Sequence, residues 1–132
     1  MDCMLCRIPS RKPEEVIAET DKVFVVVPLR RDKATGEMVE WDRTKYRLVI
    51  PRHHAEDIAE LTGVWDDIML EAKRQKDDMG GEAIISFNQG ASAGQTQPHL
   101  HVWVVRCSAD DPTAGKGLAT MKELLDELLR AD

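Results

Sequence analysis

The chain has 132 residues, a length typical of a single domain, and we expect one domain over residues 1–132. Its net charge of −6 argues against extended binding to nucleic acid, because contact with a phosphate backbone needs a basic face. No apolar run approaches the roughly 20 residues that span a bilayer. The first residues also lack the pattern of a secretory signal, so the sequence predicts a cytoplasmic protein with no membrane partner.

Strand patterns dominate the first half of the chain. Continuous apolar or β-branched runs predict strands at residues 16–19, 22–27 and 46–50. Pro28 and Pro51 end the second and third of these strands, because proline cannot donate to a strand ladder. Residues 29–45 are polar and contain a turn pattern, which fits either an excursion hairpin or a loop.

Helices and strands alternate in blocks over the second half. Helices are predicted at residues 55–61, from a cap at Thr62 to Met79, and at 117–130, and strands at 82–88 and 99–105. Gly80-Gly81 marks the end of the second helix. Strands that follow one another closely, with helices in two blocks, favour an α+β fold with an antiparallel β-sheet over a doubly wound parallel sheet.

Two histidines share one face of the strand predicted at 99–105. Alternate residues of a strand point the same way, so His99, His101 and Trp103 lie on one side. The glycine-rich stretch Asn88–Thr96 precedes them, and its backbone N–H groups can converge on an anion. This pattern is typical of a phosphoryl-transfer site with a histidine nucleophile. A polar loop beside two hydrogen-bonded histidines explains the same spacing.

The N-terminal Cys3-x-x-Cys6 motif has several interpretations. Two thiolates at this spacing can hold half of a tetrahedral zinc site, form a redox pair, or be free surface thiols. The odd total of three cysteines does not indicate a disulfide framework. The two missing zinc ligands can come only from the histidine clusters, where His54 and His99 are placed to supply them.

Three segments together resemble the histidine triad (HIT) family. Residues 88–105 resemble its signature, a glycine-rich loop that runs into alternating histidines and apolar residues. Residues 46–54 resemble the family strand that ends in Ile-Pro-Lys-x-His. The Cys-x-x-Cys motif occurs in the zinc-containing bacterial members, and all three segments stand in the family's order.

The resemblance implies an antiparallel HIT-like fold, a homodimer, and a nucleotide hydrolase or nucleotidyl transferase. Its substrate would be a nucleoside phosphoramidate or a dinucleoside polyphosphate, which His101 attacks to form a phosphohistidine. The implied phosphate-binding residues are Asn88, Gly94, Gln95 and Thr96, beside Trp103. The implied ligands of a structural zinc are Cys3, Cys6, His54 and His99.

The sequence departs from the family pattern at three positions. Trp103 replaces the third histidine, and indole cannot exchange a proton near neutral pH. Pro28 stands where the family often has an acid that binds ribose, for which Asp32 or Asp42 could substitute, and Tyr46 replaces a histidine. These changes keep a second interpretation open, a zinc-stabilised nucleotide-binding or interaction module with little turnover. A redox role for the cysteines is a third.

Overall fold

The computed structural model describes residues 5–6, 16–90, 92 and 99–110. Cys3, the loop residues Gly94, Gln95 and Thr96, and the helix predicted at 117–130 lie outside the described residues. Within the described part, no helix is long and apolar enough to cross a membrane.

Seven strands and two helices make up the described part of the chain. The strands are β1 (Val16–Glu19), β2 (Val23–Val26), β3 (Leu29–Arg31), β4 (Met38–Glu40), β5 (Tyr46–Pro51), β6 (Ala83–Ser86) and β7 (Val102–Arg106). A 3₁₀ helix (Ile58–Leu61) and α1 (Trp65–Asp78) lie between β5 and β6. Five strands form one antiparallel sheet in the order β1-β2-β5-β7-β6, and β3 and β4 form a separate hairpin. The predicted α+β class with an antiparallel sheet is therefore confirmed.

The sheet is central because its middle strands are buried on both faces and, apart from Arg47, largely apolar. Every residue of β2 and β5 is buried, as continuous apolar runs predict. α1 covers one face, and the main core forms between the helix and the sheet: Val23, Val25, Val49, Ala55, Leu61, Ile68, Ala72, Met79, Leu100, Val102 and Val104. Phe24, Val26, Leu48 and Ile50 fill the opposite face together with Leu5.

A buried arginine joins the sheet to α1. The guanidinium of Arg47 on β5 donates to the side chains of Gln75 and Asp78, at 2.7 Å each. Its Nε also donates to the carbonyl oxygen of Arg43 at 2.9 Å. A buried charge needs partners of this kind, and here they fix the position of the helix on the sheet.

The start of α1 differs from the prediction. The side chain of Asp57 accepts a hydrogen bond from Ala59 N and begins the 3₁₀ helix, and Thr62 closes that helix. α1 then begins after Val64, which makes no side-chain cap, so the prediction that Thr62 caps α1 is wrong. The helix ends where predicted, before Gly80 with a positive φ of 122°.

The strand predicted at His99 begins three residues later, at Val102. The backbone N–H of Leu100 donates to Ala55 O at 2.7 Å, outside the sheet, so the ladder with β5 starts only after this contact. The predicted alternation of faces is confirmed from there on. Val102 packs under α1, while Trp103 lies opposite and pairs with Leu48 of β5.

Candidate functional site

Three of the four predicted metal ligands lie together. The Sγ atom of Cys6 is 3.2 Å from His54 Nδ1 and 3.3 Å from His99 Nδ1. The two imidazole rings meet edge to face, with centroids 5.0 Å apart. Cys6 comes from the N-terminal segment, His54 from the turn after β5, and His99 from the histidine segment, residues 99–101 before β7. Their ligand atoms all lie within 4.8 Å of one another. The group is close enough to hold a metal ion.

The hydrogen bonds of His99 suit a metal ligand. His99 is fully buried, and its Nε2 donates to the carbonyl oxygen of Pro51 at 2.7 Å. Because a carbonyl only accepts, the proton sits on Nε2 and the lone pair of Nδ1 faces Cys6. Burial lowers the pKa of His99, the bond to Pro51 opposes that effect, and nearby His54 lowers it further. The ring is therefore neutral, as a ligand must be.

His101 is held differently, by a bond to the backbone. Its Nδ1 lies 3.0 Å from the carbonyl oxygen of His99, so Nδ1 carries the proton and donates it. Nε2 then keeps its lone pair. Burial lowers the pKa of His101, and the hydrogen bond to His99 partly opposes this. The half-buried ring therefore presents a neutral nitrogen nucleophile.

The two ends of the glycine-rich loop are anchored to one short segment. Gln89 Nε2 donates to Glu56 O and Gln89 Oε1 accepts from Ile58 N, both at 3.0 Å. At the other end, Leu100 N donates to Ala55 O at 2.7 Å. Gly90 follows Gln89 with a φ of 89°, which favours glycine. We call these three bonds the loop brace.

The sequence pattern did not single out Gln89. It lies beside Asn88, which follows β6 and is exposed, and amide side chains are frequent throughout this loop. Its partners lie 31 and 33 residues away, so spacing along the loop carries no signal for them.

Trp103 belongs to an aromatic cluster with Trp41 and Tyr46. Its ring centroid is 5.6 Å from that of Trp41, and the Trp41 ring meets Tyr46 edge-on at 5.4 Å. The centroid of His101 lies 6.4 Å from that of Trp103. Trp41 follows the β3–β4 hairpin, so the polar excursion at 29–45 places an aromatic ring against Trp103. A lone tryptophan within a polar stretch was the available signal, and the sequence reasoning missed it.

The two acids considered as ribose ligands have local roles. Asp32 Oδ1 accepts from Ala34 N at 2.7 Å, and Asp42 Oδ1 accepts from Thr44 N and Oγ1 at 2.9 and 2.6 Å. The hydrogen bonds from Thr44 lower the pKa of Asp42. Both carboxylates therefore cap turns of the excursion. Pro28 is buried and accepts from Trp41 N at 3.0 Å.

An open groove of about 540 Å³ lies where the 3₁₀ helix meets α1. It is lined by Ile58, Ala59, Thr62, Trp65 and Asp66. Asn88, His54, His99 and Cys6, the described residues predicted to bind phosphate or metal, do not line it.

No protein-family model and no curated protein matches the sequence. The fold, however, matches solved structures. A HIT family hydrolase from Legionella pneumophila is 20% identical, with a TM-score of 0.63 over 86% of this chain and 100% of that one. A histidine triad protein from Clostridium difficile is 20% identical, with a TM-score of 0.63 over 84% and 95%. A hypothetical histidine triad nucleotide-binding protein from Sulfolobus tokodaii is 25% identical, with a TM-score of 0.57 over 83% and 71%. The chain therefore has the fold of the histidine triad proteins.

Proposed function

We propose that the chain is a nucleotide hydrolase or nucleotidyl transferase of the histidine triad type, with His101 as its nucleophile. The observation that carries this proposal is the bond from His101 Nδ1 to His99 O, which leaves Nε2 unprotonated. The shared fold with HIT family hydrolases and the order of the motifs support it. The substrate class is a nucleoside phosphoramidate or a dinucleoside polyphosphate.

The reaction follows from the state of the His101 ring. Nε2 attacks the α-phosphorus in line, a P–N bond forms, and the bond from phosphorus to the leaving group breaks. The ring becomes positively charged, and its Nδ1–H bond to His99 O stabilises that charge. Water or another acceptor then attacks phosphorus and releases the nucleotide and neutral His101. By resemblance, Asn88, Gly94, Gln95 and Thr96 donate to the phosphate oxygens.

We propose that Cys6, His54 and His99, completed by Cys3, hold a structural zinc ion. One sulfur and two imidazole nitrogens are donors that zinc prefers, and they range from the exposed Cys6 to the buried His99. When bound, zinc supplies a cross-link between the N-terminal segment, β5 and the histidine segment. The chain's own contribution is to fix the ring of His99, whose backbone carbonyl orients His101.

A direct assay tests the reaction. Wild-type protein is incubated with an adenosine phosphoramidate, AMP release is followed, and the quenched protein is weighed by mass spectrometry. We expect AMP together with an adduct of one AMP that is absent from His101→Ala. Absence of AMP and adduct at saturating substrate would overturn the proposed reaction.

One observation favours the second candidate, a nucleotide-binding module without turnover. Trp103, at the position of the third histidine, packs against Trp41 and offers no titratable group. Binding of the nucleotide with neither AMP release nor adduct supports this candidate. The proposal also includes a homodimer and a cytoplasmic location. Gel filtration with light scattering tests the first, and cell fractionation tests the second.

A further inference from the structure

Trp41, directly after the β3–β4 hairpin, makes a ring contact with Trp103, which in turn lies beside His101. The backbone N–H of Trp41, directly after β4, donates to Pro28 O at 3.0 Å and so closes the base of the excursion. This places the Trp41 ring against Trp103, with centroids 5.6 Å apart and planes tilted by 38°.

The Trp41 ring is positioned by packing. It meets Tyr46 edge-on at an interplanar angle of 78°, a favourable aromatic geometry. Its Nε1 is buried and has no hydrogen-bond acceptor among the residues that the structure describes. A buried donor without an acceptor is unfavourable, so ring contacts and not a polar bond hold Trp41 here.

The two indoles form the outer layer of the cluster. Tyr46 and Val105 are buried beneath them, whereas Trp41 and Trp103 are each half-buried. Trp103 also lies nearest the nucleophile, with its ring centroid 6.4 Å from that of His101. Part of the indole surface thus stays open beside the ring of His101, and Trp41 extends that surface through its contact with Trp103.

We infer that Trp41 and Trp103 form an aromatic wall that binds a planar ring of the substrate, an inference that rests on the proposed function. Indole faces stack on any planar ring through dispersion and quadrupole contacts. The wall selects a substrate with an aromatic ring over one of equal charge without it. That ring comes either from the nucleobase or from the leaving group, and two pairs of compounds separate these sources.

The leaving-group arm compares two adenosine phosphoramidates whose amines have the same basicity, one benzylic and one a short alkyl ether. The nucleobase arm compares adenosine benzylphosphoramidate with the same compound lacking adenine. For wild type, we expect kcat/KM to favour the ring about threefold to tenfold in one arm or both. Trp41→Leu, which keeps apolar bulk, should bring the preference close to one, and Trp41→Phe should keep most of it.

Trp65→Leu is the matched control. Trp65, the first residue of α1, packs edge-on against Phe87 at a centroid distance of 5.6 Å. The substitution therefore removes an indole from the other side of the sheet. Its preference ratios should equal those of wild type. Thermal melts check that each variant folds, and the ratio of two substrates on one protein is insensitive to the active fraction.

Binding separates this inference from the proposed reaction. The dissociation constants of the same compounds are measured by calorimetry on His101→Ala, with and without Trp41→Leu. A ring preference that Trp41→Leu removes supports the wall, even where wild type shows no turnover and the proposed reaction fails. Equal binding and equal kcat/KM in both arms, or a preference that survives Trp41→Leu, overturns the wall while leaving the reaction intact.

Discussion

The backbone carbonyl of His99 accepts a hydrogen bond from Nδ1 of His101 at 3.0 Å, while the ring of His99 turns its own Nδ1 to Cys6. One residue therefore serves two groups, since its ring completes the potential metal cluster and its backbone orients the proposed nucleophile. Only Leu100 separates the two histidines, so a change that moves the His99 ring is expected to shift the orientation of the His101 ring as well.

His101→Ala should abolish turnover and keep nucleotide binding, because the donors of the loop remain. We expect kcat to fall by about 10³-fold or more, with a dissociation constant close to that of wild type. Stopped assays and calorimetry measure the two quantities. His53→Ala is the control, since His53 is an exposed histidine and should leave kcat unchanged. A decrease of only a few-fold in His101→Ala rules out His101 as the nucleophile.

Cys6→Ser should lower zinc content and thermal stability together. Wild type should carry about one zinc per chain, because Cys6 faces both imidazole nitrogens of the cluster. Metal analysis and melting with and without a chelator measure both effects. Cys107→Ser, which changes a half-buried thiol outside the cluster, should match wild type. Wild-type protein that lacks zinc after metal-replete expression, and melts alike with and without chelator, contradicts the proposed site.

Gln89→Leu should raise KM for the substrate while lowering the stability of the fold only slightly. The substitution removes two bonds of the loop brace at an exposed site, so we expect less than about 1 kcal/mol of lost stability. The loop would lose its anchor, so KM should rise. Gln89→Glu keeps the acceptor for Ile58 N but sets an oxygen against Glu56 O, and should fall between wild type and Gln89→Leu. Identical KM values for all three proteins refute this role of the brace.

Trp103→His tests two roles of the indole. Either it positions the substrate, or it only fails to supply the proton that a histidine at this position could give to the leaving group. Because Trp103 packs on Trp41, we expect a loss of about 1–3 kcal/mol in stability and equal rate changes on good and poor leaving groups. General acid catalysis is typically worth about 10²–10⁴-fold. A gain of that size confined to poor leaving groups would show that the missing donor limits the reaction.

Arg47→Ala should destabilise the fold by about 2 kcal/mol, since Gln75 loses a buried partner and α1 its bond to β5. Urea unfolding followed by circular dichroism measures this difference. Lys73→Ala removes an exposed pair with Asp77, which Lys76 also contacts, and should leave the unfolding midpoint close to that of wild type. Equal losses of unfolding free energy in the two variants show that the buried contacts of Arg47 stabilise the fold no more than an exposed ion pair does.

Local sequence patterns predicted the sheet because the apolar character of each central strand can be read from its own residues. The run from Val23 to Val26 is wholly apolar and wholly buried. The predicted start of α1 was wrong because the Asp57 side chain accepts a hydrogen bond from Ala59 N and begins a separate 3₁₀ helix before it. The strand expected at His99 begins later because Leu100 N donates to Ala55 O outside the sheet. In both cases a competing hydrogen bond, and not propensity, sets the boundary.

Part of the candidate site was predictable from motif spacing. Cys6, His54 and His99 come from distant motifs, and the resemblance assigned them to one group that the structure brings together. Gln89 and Trp41 were not found, since each acts through contacts that spacing does not encode. The partners of Gln89 and Trp41 are distant in sequence and come close only once the sheet has formed, so the sequence alone does not show them.

The loop brace has a consequence for how this site can diverge. Because Ala55 to Ile58 fixes both Gln89 and Leu100, the span between the ends of the loop is set by a neighbouring segment and not by the loop's own sequence. Insertions or exchanges within residues 91–98 are therefore expected to leave His99 and His101 in place. Changes in these loop residues can therefore alter substrate preference while the proposed nucleophile and the core stay unchanged.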